Sequence, residues 1–273
     1  MFPNFFADAD ALFGEAKFVI FGIPYEDKEM SFRKGASLAP SSIREASWNF
    51  ESYNILSKTD LQDIKIHDHG DISIDEIPSF IKKIENAIPI VIGGSHAITP
   101  PIISAISKTK EFGVVILDAH LDFRDEYNGS KESHACTTRR IVDMIGTKKI
   151  TSLGIRSMSR EEEREAEEKG LIYFTSWEVM AALGDILDSI PFEKIYLSID
   201  MDVLDPSYAP GVGNPEPLGI SDFELIEIIR KLAPRIIALD VVEVSPPYDD
   251  GRTAVLAAKI IRDYISWNSS YHL

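Results

Sequence analysis

The sequence predicts an α/β fold, a three-layer αβα domain in which helices cover both faces of a mainly parallel sheet. Two observations carry this prediction. Short apolar segments rich in Ile, Val, Leu and Phe recur along the chain, and amphipathic segments separate them. A strand that is covered on both faces is apolar throughout, and strands that alternate with helices are typical of βαβ units.

The predicted strands are the apolar segments, several of which are bounded by Gly or Pro. They cover 18–22, 88–93, 112–117, 150–155, 195–199 and 235–239. The predicted helices are the segments in which apolar residues recur at helical spacing. They cover 75–86, 100–110, 137–145, 160–169, 176–188 and 221–232.

Two further segments have distinctive compositions. The segment 160–169 (REEEREAEEK) has acidic and basic residues three and four positions apart, which predicts a helix with a solvated, charged face. The segment 211–219 (GVGNPEPLG) lacks the Lys-Ser/Thr ending of a phosphate-binding loop. Its prolines favour a rigid loop beside a site.

Length and composition limit the function further. The 273 residues could form two domains, but no linker or composition shift divides them, so we expect a single domain over 1–273. The 44 acidic residues outnumber the 28 basic ones, giving a formal charge of −16. This charge argues against nucleic-acid binding and favours metal ions or a cationic small molecule as partners.

Cysteine content and apolar segments predict the compartment. The single Cys136 cannot form an intrachain disulfide, and the first residues do not resemble a secretory leader. The apolar segments are far shorter than the roughly 20 residues that cross a bilayer. We therefore expect a cytoplasmic protein that does not bind membranes.

Candidate metal ligands follow three of the predicted strands. Asp118, His120 and Asp122 come after the strand 112–117, with the alternate spacing that places side chains on one side of an extended segment. Asp200 and Asp202 follow the strand 195–199 in the same way.

His96 follows Gly93 and Gly94 at the end of a third strand, where the glycines allow close backbone approach. Ligands of parallel α/β sheets bind outside the carboxyl ends of the strands. We therefore expect the three strand ends, and the candidate ligands on them, to converge.

Such a cluster requires cations, because four neighbouring carboxylates would otherwise repel each other and tend to become protonated. Two divalent ions that share carboxylates would nearly neutralise them, whereas one ion would not. Mixed imidazole and carboxylate ligands suit Mn²⁺, and zinc or iron remain alternatives. Each motif alone also has an ordinary explanation as a polar turn, a helix cap or a hydrogen-bonded histidine.

The complete set of motifs resembles the ureohydrolase (arginase/agmatinase) family. The similar segments are 93–96 (GGSH), 118–122 (DAHLD), 198–206 (SIDMDVLDP) with 209–211 (APG), and 243–249 (EVSPPYD). Segments 21–24, 31–35 and 40–44 resemble the family's amino-terminal pattern, so the resemblance covers nearly the whole chain. It implies an arginase/deacetylase-like fold and a homo-oligomer, a trimer or hexamer.

The resemblance also implies roles for individual residues. One Mn²⁺ would be bound by His96, Asp118, Asp122 and Asp200. The second Mn²⁺ would be bound by Asp118, His120, Asp200 and Asp202. Glu243 would face the substrate guanidinium, and His134 would transfer protons. The ordinary alternatives are a carboxylate satisfied near a strand end for Glu243 and a surface histidine at a helix start for His134.

Three positions depart from the family pattern. Ser95 stands where the family usually has an acidic residue, Ala97 where it has a small hydroxyl residue, and Ser245 where Asn is common. Ser95 and Ala97 are expected to lie behind the ligands. We therefore expect altered metal affinity more than lost activity.

The reaction that the resemblance implies is hydrolysis of a guanidinium to urea and an amine. A hydroxide bridging two Mn²⁺ ions would attack the guanidinium that Glu243 holds, and Asp122 or His134 would pass a proton to the leaving amine. The acidic loop 124–134 resembles the agmatinase version and suits the dication agmatine, which would give putrescine and urea.

Several alternatives remain open at this stage. Aminopropylagmatine is the closest alternative substrate, while guanidinobutyrate and arginine fit the acidic loop less well. A single-metal deacetylase would not need all six candidate ligands. A non-catalytic metal-binding or regulatory protein is the alternative of a different class.

Overall fold

In the computed structural model of the chain, the described residues 4–27 and 31–271 form an eight-stranded sheet between two layers of helices. The strands in chain order are β1 (Phe18–Ile23), β2 (Tyr53–Asn54), β3 (Thr59–Asp60), β4 (Ile66–Asp71), β5 (Ile88–Gly93), β6 (Gly113–Leu117), β7 (Ile150–Ile155), β8 (Ile172–Thr175), β9 (Ile195–Asp200) and β10 (Ile236–Val242). The sheet order is β4-β1-β5-β10-β9-β6-β7-β8, and β2 and β3 form a separate antiparallel pair. Neighbouring strands of the large sheet are parallel throughout the described ranges.

The helices pack on both faces of this sheet. They are α1 (Ala39–Ser47), α2 (Ile77–Ile81), α3 (Thr99–Ile106), α4 (Thr137–Ile145), α5 (Arg160–Lys169), α6 (Ser176–Ser189), α7 (Asp222–Leu232) and α8 (Arg252–Ser270). Ile90 and Leu197 face the core shared with α1, α6, α7 and α8. Their neighbours along those strands, Val91 and Tyr196, face the core shared with α2, α3, α4 and α5. The predicted three-layer α/β architecture is confirmed.

Elements that sequence reasoning missed lie at the sheet edges or carry atypical patterns. The edge strand β4 has the sequence IHDHGD, and the opposite edge strand β8 has only four residues. Neither has the long apolar run of a central strand. Helices α1 and α8 were also missed; α8 is buried nearly all round, so it lacks the polar face that marks an amphipathic helix.

Most predicted helices begin and end within a few residues of the observed ones, with one clear error. The helix predicted over 75–86 is a 3₁₀ turn (Ile74–Glu76) followed by the short α2. Pro78 lies in the first turn of α2, where its missing N–H is tolerated. Among the described residues, no helix combines the length and apolar character needed to cross a bilayer.

Candidate metal centre and active site

The candidate site lies at the carboxyl ends of four adjacent central strands, β5, β10, β9 and β6. Their register brings these ends to the same level. Leu117 of β6 pairs with Ile199 of β9, and Ile199 in turn pairs with Val241 of β10. The residues that directly follow Leu117 and Ile199 are Asp118 and Asp200. The predicted convergence of the strand ends is therefore observed.

The converging side chains form two groups that share one carboxylate. His96, Asp118 and Asp200 place one possible ligand atom each within 4.8 Å of one another, and so do Asp118, His120 and Asp202. In the first group, His96 Nδ1 lies 3.1 Å from Asp118 Oδ2 and 3.3 Å from Asp200 Oδ2. In the second group, His120 Nδ1 lies 2.9 Å from Asp202 Oδ2. The described residues thus contain two adjoining clusters that could hold two ions.

Asp122 joins the first group by a different route from the one predicted. Its Oδ2 lies 3.5 Å from His96 Nδ1, but its φ of 51° places the backbone in the left-handed region, so the segment is not extended there. Asp202 likewise lies in a 3₁₀ turn and not on an extended strand, and its N–H donates to Asp200 Oδ1 at 2.9 Å. The side chains converge as predicted, but tight turns aim them.

The glycines before His96 allow the close approach that the sequence suggested. A Cβ atom on Gly94 would lie 1.9 Å from the carbonyl oxygen of Tyr25, which leaves no room for any other residue. Ser95 is buried, and its hydroxyl accepts a hydrogen bond from the Ala97 N–H at 3.3 Å. Ser95 therefore caps the short turn that carries His96.

The electrostatics of the cluster favour bound cations. Although burial lowers the pKa of the His96 imidazole, the three carboxylates beside it raise that pKa well above its ordinary value. Burial and the charges of Asp202 and Asp118 raise the pKa of Asp200 well above its usual range. Burial and Asp118 raise the pKa of Asp122 to about 6. These shifts show that the neighbouring carboxylates disfavour carrying uncompensated charge, and divalent cations could supply the compensating charge.

Two unsatisfied atoms indicate where such a cation would fit. His96 Nδ1 and Asp118 Oδ2 are buried and have no hydrogen-bond partner among the described residues. Buried polar atoms are normally paired, and unpaired ones suggest a catalytic role or a missing ion. Both atoms are suitable metal ligands, so the donor set fits a metal centre.

Glu243 adjoins the first group from the end of β10. It has a left-handed φ of 62°, and its Oε1 accepts a hydrogen bond from the backbone N–H of His96 at 2.7 Å. Burial raises the pKa of this carboxyl. A cavity of about 250 Å³ opens here, lined in part by Glu243, His120, Asp122, Asp200 and Asp202.

His134 lines the same cavity at the start of the 3₁₀ turn His134–Cys136. Its Nδ1 is 3.5 Å from Asp27 Oδ2 and has no hydrogen-bond partner in the described part of the chain. Burial lowers the pKa of His134, but Asp27, Glu243 and Asp122 raise it, so that it lies at about 9. The structure therefore brings the His134 imidazole to the cavity that Glu243 also lines.

Comparison with known proteins places the chain in a family. The model of the arginase family matches residues 16–266. The chain belongs to the arginase family. Its fold is the family's α/β fold, and it is an enzyme of the ureohydrolase type.

Individual relatives agree with this membership. An agmatinase of Halalkalibacterium halodurans is 36% identical, over 92% of this chain and 92% of its own length. The N(1)-aminopropylagmatine ureohydrolase of Thermococcus kodakarensis is 34% identical, over 90% of this chain and 89% of its own length. The crystal structure of the agmatine ureohydrolase of Thermoplasma volcanium has a TM-score of 0.94 and 38% identity, covering 100% of this chain and 96% of that one.

A buried network behind His96, missed from sequence, fixes the proton on its imidazole. Ser198 Oγ donates to Asp240 Oδ1 at 2.6 Å, and the other Asp240 oxygen accepts from Thr99 and from the Tyr196 hydroxyl. The Ser198 hydroxyl has a single proton, so it accepts at 3.0 Å from His96 Nε2–H. When the ring carries one proton, this tautomer leaves the lone pair on His96 Nδ1, which faces the carboxylates. Burial raises the pKa of Asp240, whereas its three hydroxyl donors favour the charged form.

The loop 211–219 contacts the other imidazole of this arginase-family site. Asn214 Nδ2 lies 2.9 Å from His120 Nε2, and Glu216 Oε1 lies 3.7 Å from the same atom. The Arg156 guanidinium donates to several backbone carbonyls, including those of Asp202 and Glu216, at 2.7 Å each. The loop is therefore fastened beside the site, as its prolines suggested.

Proposed function

We propose that this chain hydrolyses agmatine to putrescine and urea at a centre that binds two Mn²⁺ ions. The observation that carries the proposal is the buried pair of unsatisfied atoms, His96 Nδ1 and Asp118 Oδ2, beside the Glu243 carboxylate. Four of the candidate ligands, His120, Asp122, Asp200 and Asp202, line the same cavity as Glu243. Membership of the arginase family agrees with this chemistry.

The six predicted ligands would hold the two ions. His96, Asp118, Asp122 and Asp200 are assigned to the first ion, and Asp118, His120, Asp200 and Asp202 to the second. The shared position of Asp118 in both groups supports its bridging role. When bound, divalent ions lower the pKa of water enough to make hydroxide available near neutral pH.

Glu243 is assigned the substrate guanidinium. One carboxylate oxygen is already oriented by the His96 N–H at 2.7 Å. The other, Oε2, lies beside Gly213, where a Cβ atom would come within 3.0 Å of it. A carboxylate and a guanidinium form charge-assisted hydrogen bonds that fix both distance and orientation. Glu243 would therefore hold the guanidinium carbon next to the ligand cluster.

His134 and Asp122 are assigned the protons. His134 lines the same cavity as Glu243, and its raised pKa makes it a proton donor at neutral pH. Asp122, the alternative donor, lies within the ligand cluster itself. The leaving amine needs one proton from either group.

The charges around the cavity favour a cationic substrate. Five of the lining side chains are carboxylates, of which three are assigned to the ions and Glu162 pairs with Arg124, so that Glu243 is left to face a cation. Arg124 is the sole Lys or Arg among the described lining residues. Arg124 lies 3.4 Å from Glu162 and 5.1 Å from the centre of the Tyr127 ring, so its charge is largely compensated. Agmatine has no carboxylate for such a cavity to repel.

A panel of guanidino compounds tests this proposal. We expect urea release from agmatine by the Mn²⁺-loaded protein, with kcat/KM at least about tenfold above that for arginine or guanidinobutyrate. The metal-free protein and Asp118→Ala, checked for folding by circular dichroism, should release none. Equal use of arginine would contradict the substrate assignment. A folded, Mn²⁺-loaded protein that releases no urea from any compound would indicate a non-catalytic metal-binding protein instead.

Aminopropylagmatine is the second candidate substrate, because the Thermococcus kodakarensis relative is an N(1)-aminopropylagmatine ureohydrolase. The same panel separates the two. A kcat/KM for aminopropylagmatine above that for agmatine would transfer the assignment to the longer compound without changing the site chemistry.

A further inference from the structure

One carboxylate in the charged helix α5 is not solvated as its neighbours are. Glu161 and Glu163 are exposed, whereas Glu162 is only 5% exposed. Its Oε2 accepts from the Ser159 N–H at 2.8 Å and completes the capping box of α5. Its Oε1 instead accepts from the Phe123 N–H at 3.1 Å, on a segment 39 residues away. The sequence interpretation of α5 as a wholly solvated face is wrong at this residue.

The second contact falls on the backbone of a predicted metal ligand. The Phe123 N–H belongs to the same peptide unit as the carbonyl of Asp122. That carbonyl accepts from the Arg139 N–H of α4 at 3.2 Å. Both polar groups of the Asp122–Phe123 peptide are therefore held, one by α4 and the other by Glu162.

Asp122 needs such support, because its φ of 51° is unfavourable for a residue with a Cβ atom. Sparsely populated backbone conformations persist where surrounding contacts determine them. Fixing the orientation of the peptide that follows Asp122 fixes the turn from which its carboxylate reaches His96.

We propose that Glu162 is a positioning residue that locks the Asp122–Phe123 peptide and thereby aims the Asp122 carboxylate at the first ion. The inference rests on the proposed metal centre only in taking Asp122 as a ligand. The site requires a carboxylate, since both oxygens accept backbone N–H groups, whereas Gln would turn its amide toward one of these donors. Arg124 Nε lies 3.4 Å from the same Oε2.

The test compares Mn²⁺ affinity, measured by calorimetric titration of the metal-free full chain. Glu162→Gln should weaken binding of one ion by about tenfold, the loss typical of removing a residue that orients a ligand. Ser159→Ala breaks the same capping box without touching Phe123, so it should lower Tm yet leave the affinity within about twofold of wild type. Glu163→Gln, on the exposed face, should change neither Mn²⁺ affinity nor Tm.

A double-mutant cycle separates positioning from general destabilisation. In an Asp122→Ala background, Glu162→Gln should cause no further loss of Mn²⁺ affinity, because the side chain that it positions is gone. Glu162→Asp keeps the charge but shortens the side chain by one methylene group, so it should weaken Mn²⁺ binding as Glu162→Gln does. It serves as the test variant if the Gln protein does not fold.

Unchanged Mn²⁺ affinity in a folded Glu162 variant would overturn the inference and leave the proposed function standing. An equal loss of affinity in Ser159→Ala, or an additive loss on Asp122→Ala, would also overturn it in favour of simple helix capping. Failure of the wild-type chain to bind Mn²⁺ would instead reject the proposed metal centre, and the inference with it.

Discussion

Two buried clusters of charge in this protein are built in opposite ways. At the β4 edge of the sheet, the Arg44 guanidinium donates to both oxygens of Asp68, at 2.8 and 3.0 Å, and also to Asp71. Asp68 accepts a further bond from the Phe6 N–H at 2.7 Å. In the central cluster, several buried carboxylates surround His96 without any Lys or Arg ion pair to the four candidate aspartates among the described residues.

The difference between the clusters indicates their purposes. The Arg44 cluster carries its own cation and satisfies it with matched hydrogen bonds, so it can act as part of the framework. The central cluster leaves His96 Nδ1 and Asp118 Oδ2 without hydrogen-bond partners among the described residues. Its surroundings raise the pKa values of His96 and Asp200 well above their ordinary ranges. Charge that the chain itself does not satisfy is suited to an exchangeable partner, which in our proposal is metal ions and a guanidinium.

Removing a central carboxylate should produce the largest functional loss. Asp200→Ala is expected to lower kcat/KM for agmatine by about 1,000-fold or more, because losing a direct ligand exceeds the 10- to 100-fold cost of losing a residue behind one. In chemical denaturation, the metal-free variant should be about as stable as the metal-free wild type, because relief of repulsion among the carboxylates offsets loss of the acceptor for the Asp202 N–H.

Asp185→Ala, on the exposed surface of α6, is the control and should match wild type in both activity and stability. A metal-free Asp200→Ala protein that unfolds would show that the central cluster supports the framework after all.

Removing the cation of the edge cluster should have the reverse effect. Arg44→Ala leaves Asp68 buried without its partner, which should lower the free energy of unfolding by about 3–5 kcal/mol. Chemical denaturation of the metal-free chain measures this loss.

Asp71→Asn is the matched control for Arg44→Ala. The Asp71 side chain is 42% exposed, so its loss should cost no more than about 1 kcal/mol. Similar losses for both variants would contradict the distinction between the partners of Arg44.

Glu243→Gln should separate substrate binding from metal binding within the central cluster. The Gln oxygen can still accept from the His96 N–H, but the charge-assisted bonds to the guanidinium are lost. We expect kcat/KM for agmatine to fall by about 100-fold. Metal analysis should show unchanged Mn²⁺ content. Loss of Mn²⁺ from this variant would show that Glu243 belongs to the metal set.

Asp240→Asn should have the smallest effect, because Asp240 acts through Ser198. The Asn amide can donate to Ser198, which would reverse the hydroxyl and favour the wrong His96 tautomer. Mn²⁺ affinity should fall by about tenfold. ¹⁵N NMR of the metal-free chain, recorded above the pKa of His96 where the ring carries one proton, should show that proton moved to Nδ1.

Thr99→Val removes a donor to the other Asp240 oxygen and should leave the His96 tautomer unchanged. An Asp240→Asn protein with the wild-type tautomer would contradict the proton assignment.

The convergence of the central side chains could be expected from the sequence, because they follow apolar strands closely. Asp118 and Asp200 come immediately after such strands, and parallel topology brings their ends together. Residues that support the cluster were missed because they reach it from elsewhere in the fold. The pattern Ser159-x-x-Glu162 signalled a capping box, but burial of Glu162 depends on packing that no local pattern shows.

The sequence around Asp240 contains a clearer signal of a buried polar contact. It lies within the apolar run 236–242, where an isolated charge implies a buried polar partner. The predicted strand ended at residue 239, just before it. The left-handed turns at Asp122 and Glu243 have no such signal, since neither position is Gly, and they depend on contacts with Glu162, Arg139 and Gly94.

The central claim is that the unsatisfied cluster is a two-ion centre for guanidinium hydrolysis. The most direct measurement follows urea release from agmatine while Mn²⁺ is titrated into the metal-free protein, with bound metal counted in parallel. Saturation at two Mn²⁺ per chain, with urea release rising as the sites fill, is the predicted result. Two bound ions without urea release from agmatine, or full activity with one ion or none, would contradict the account.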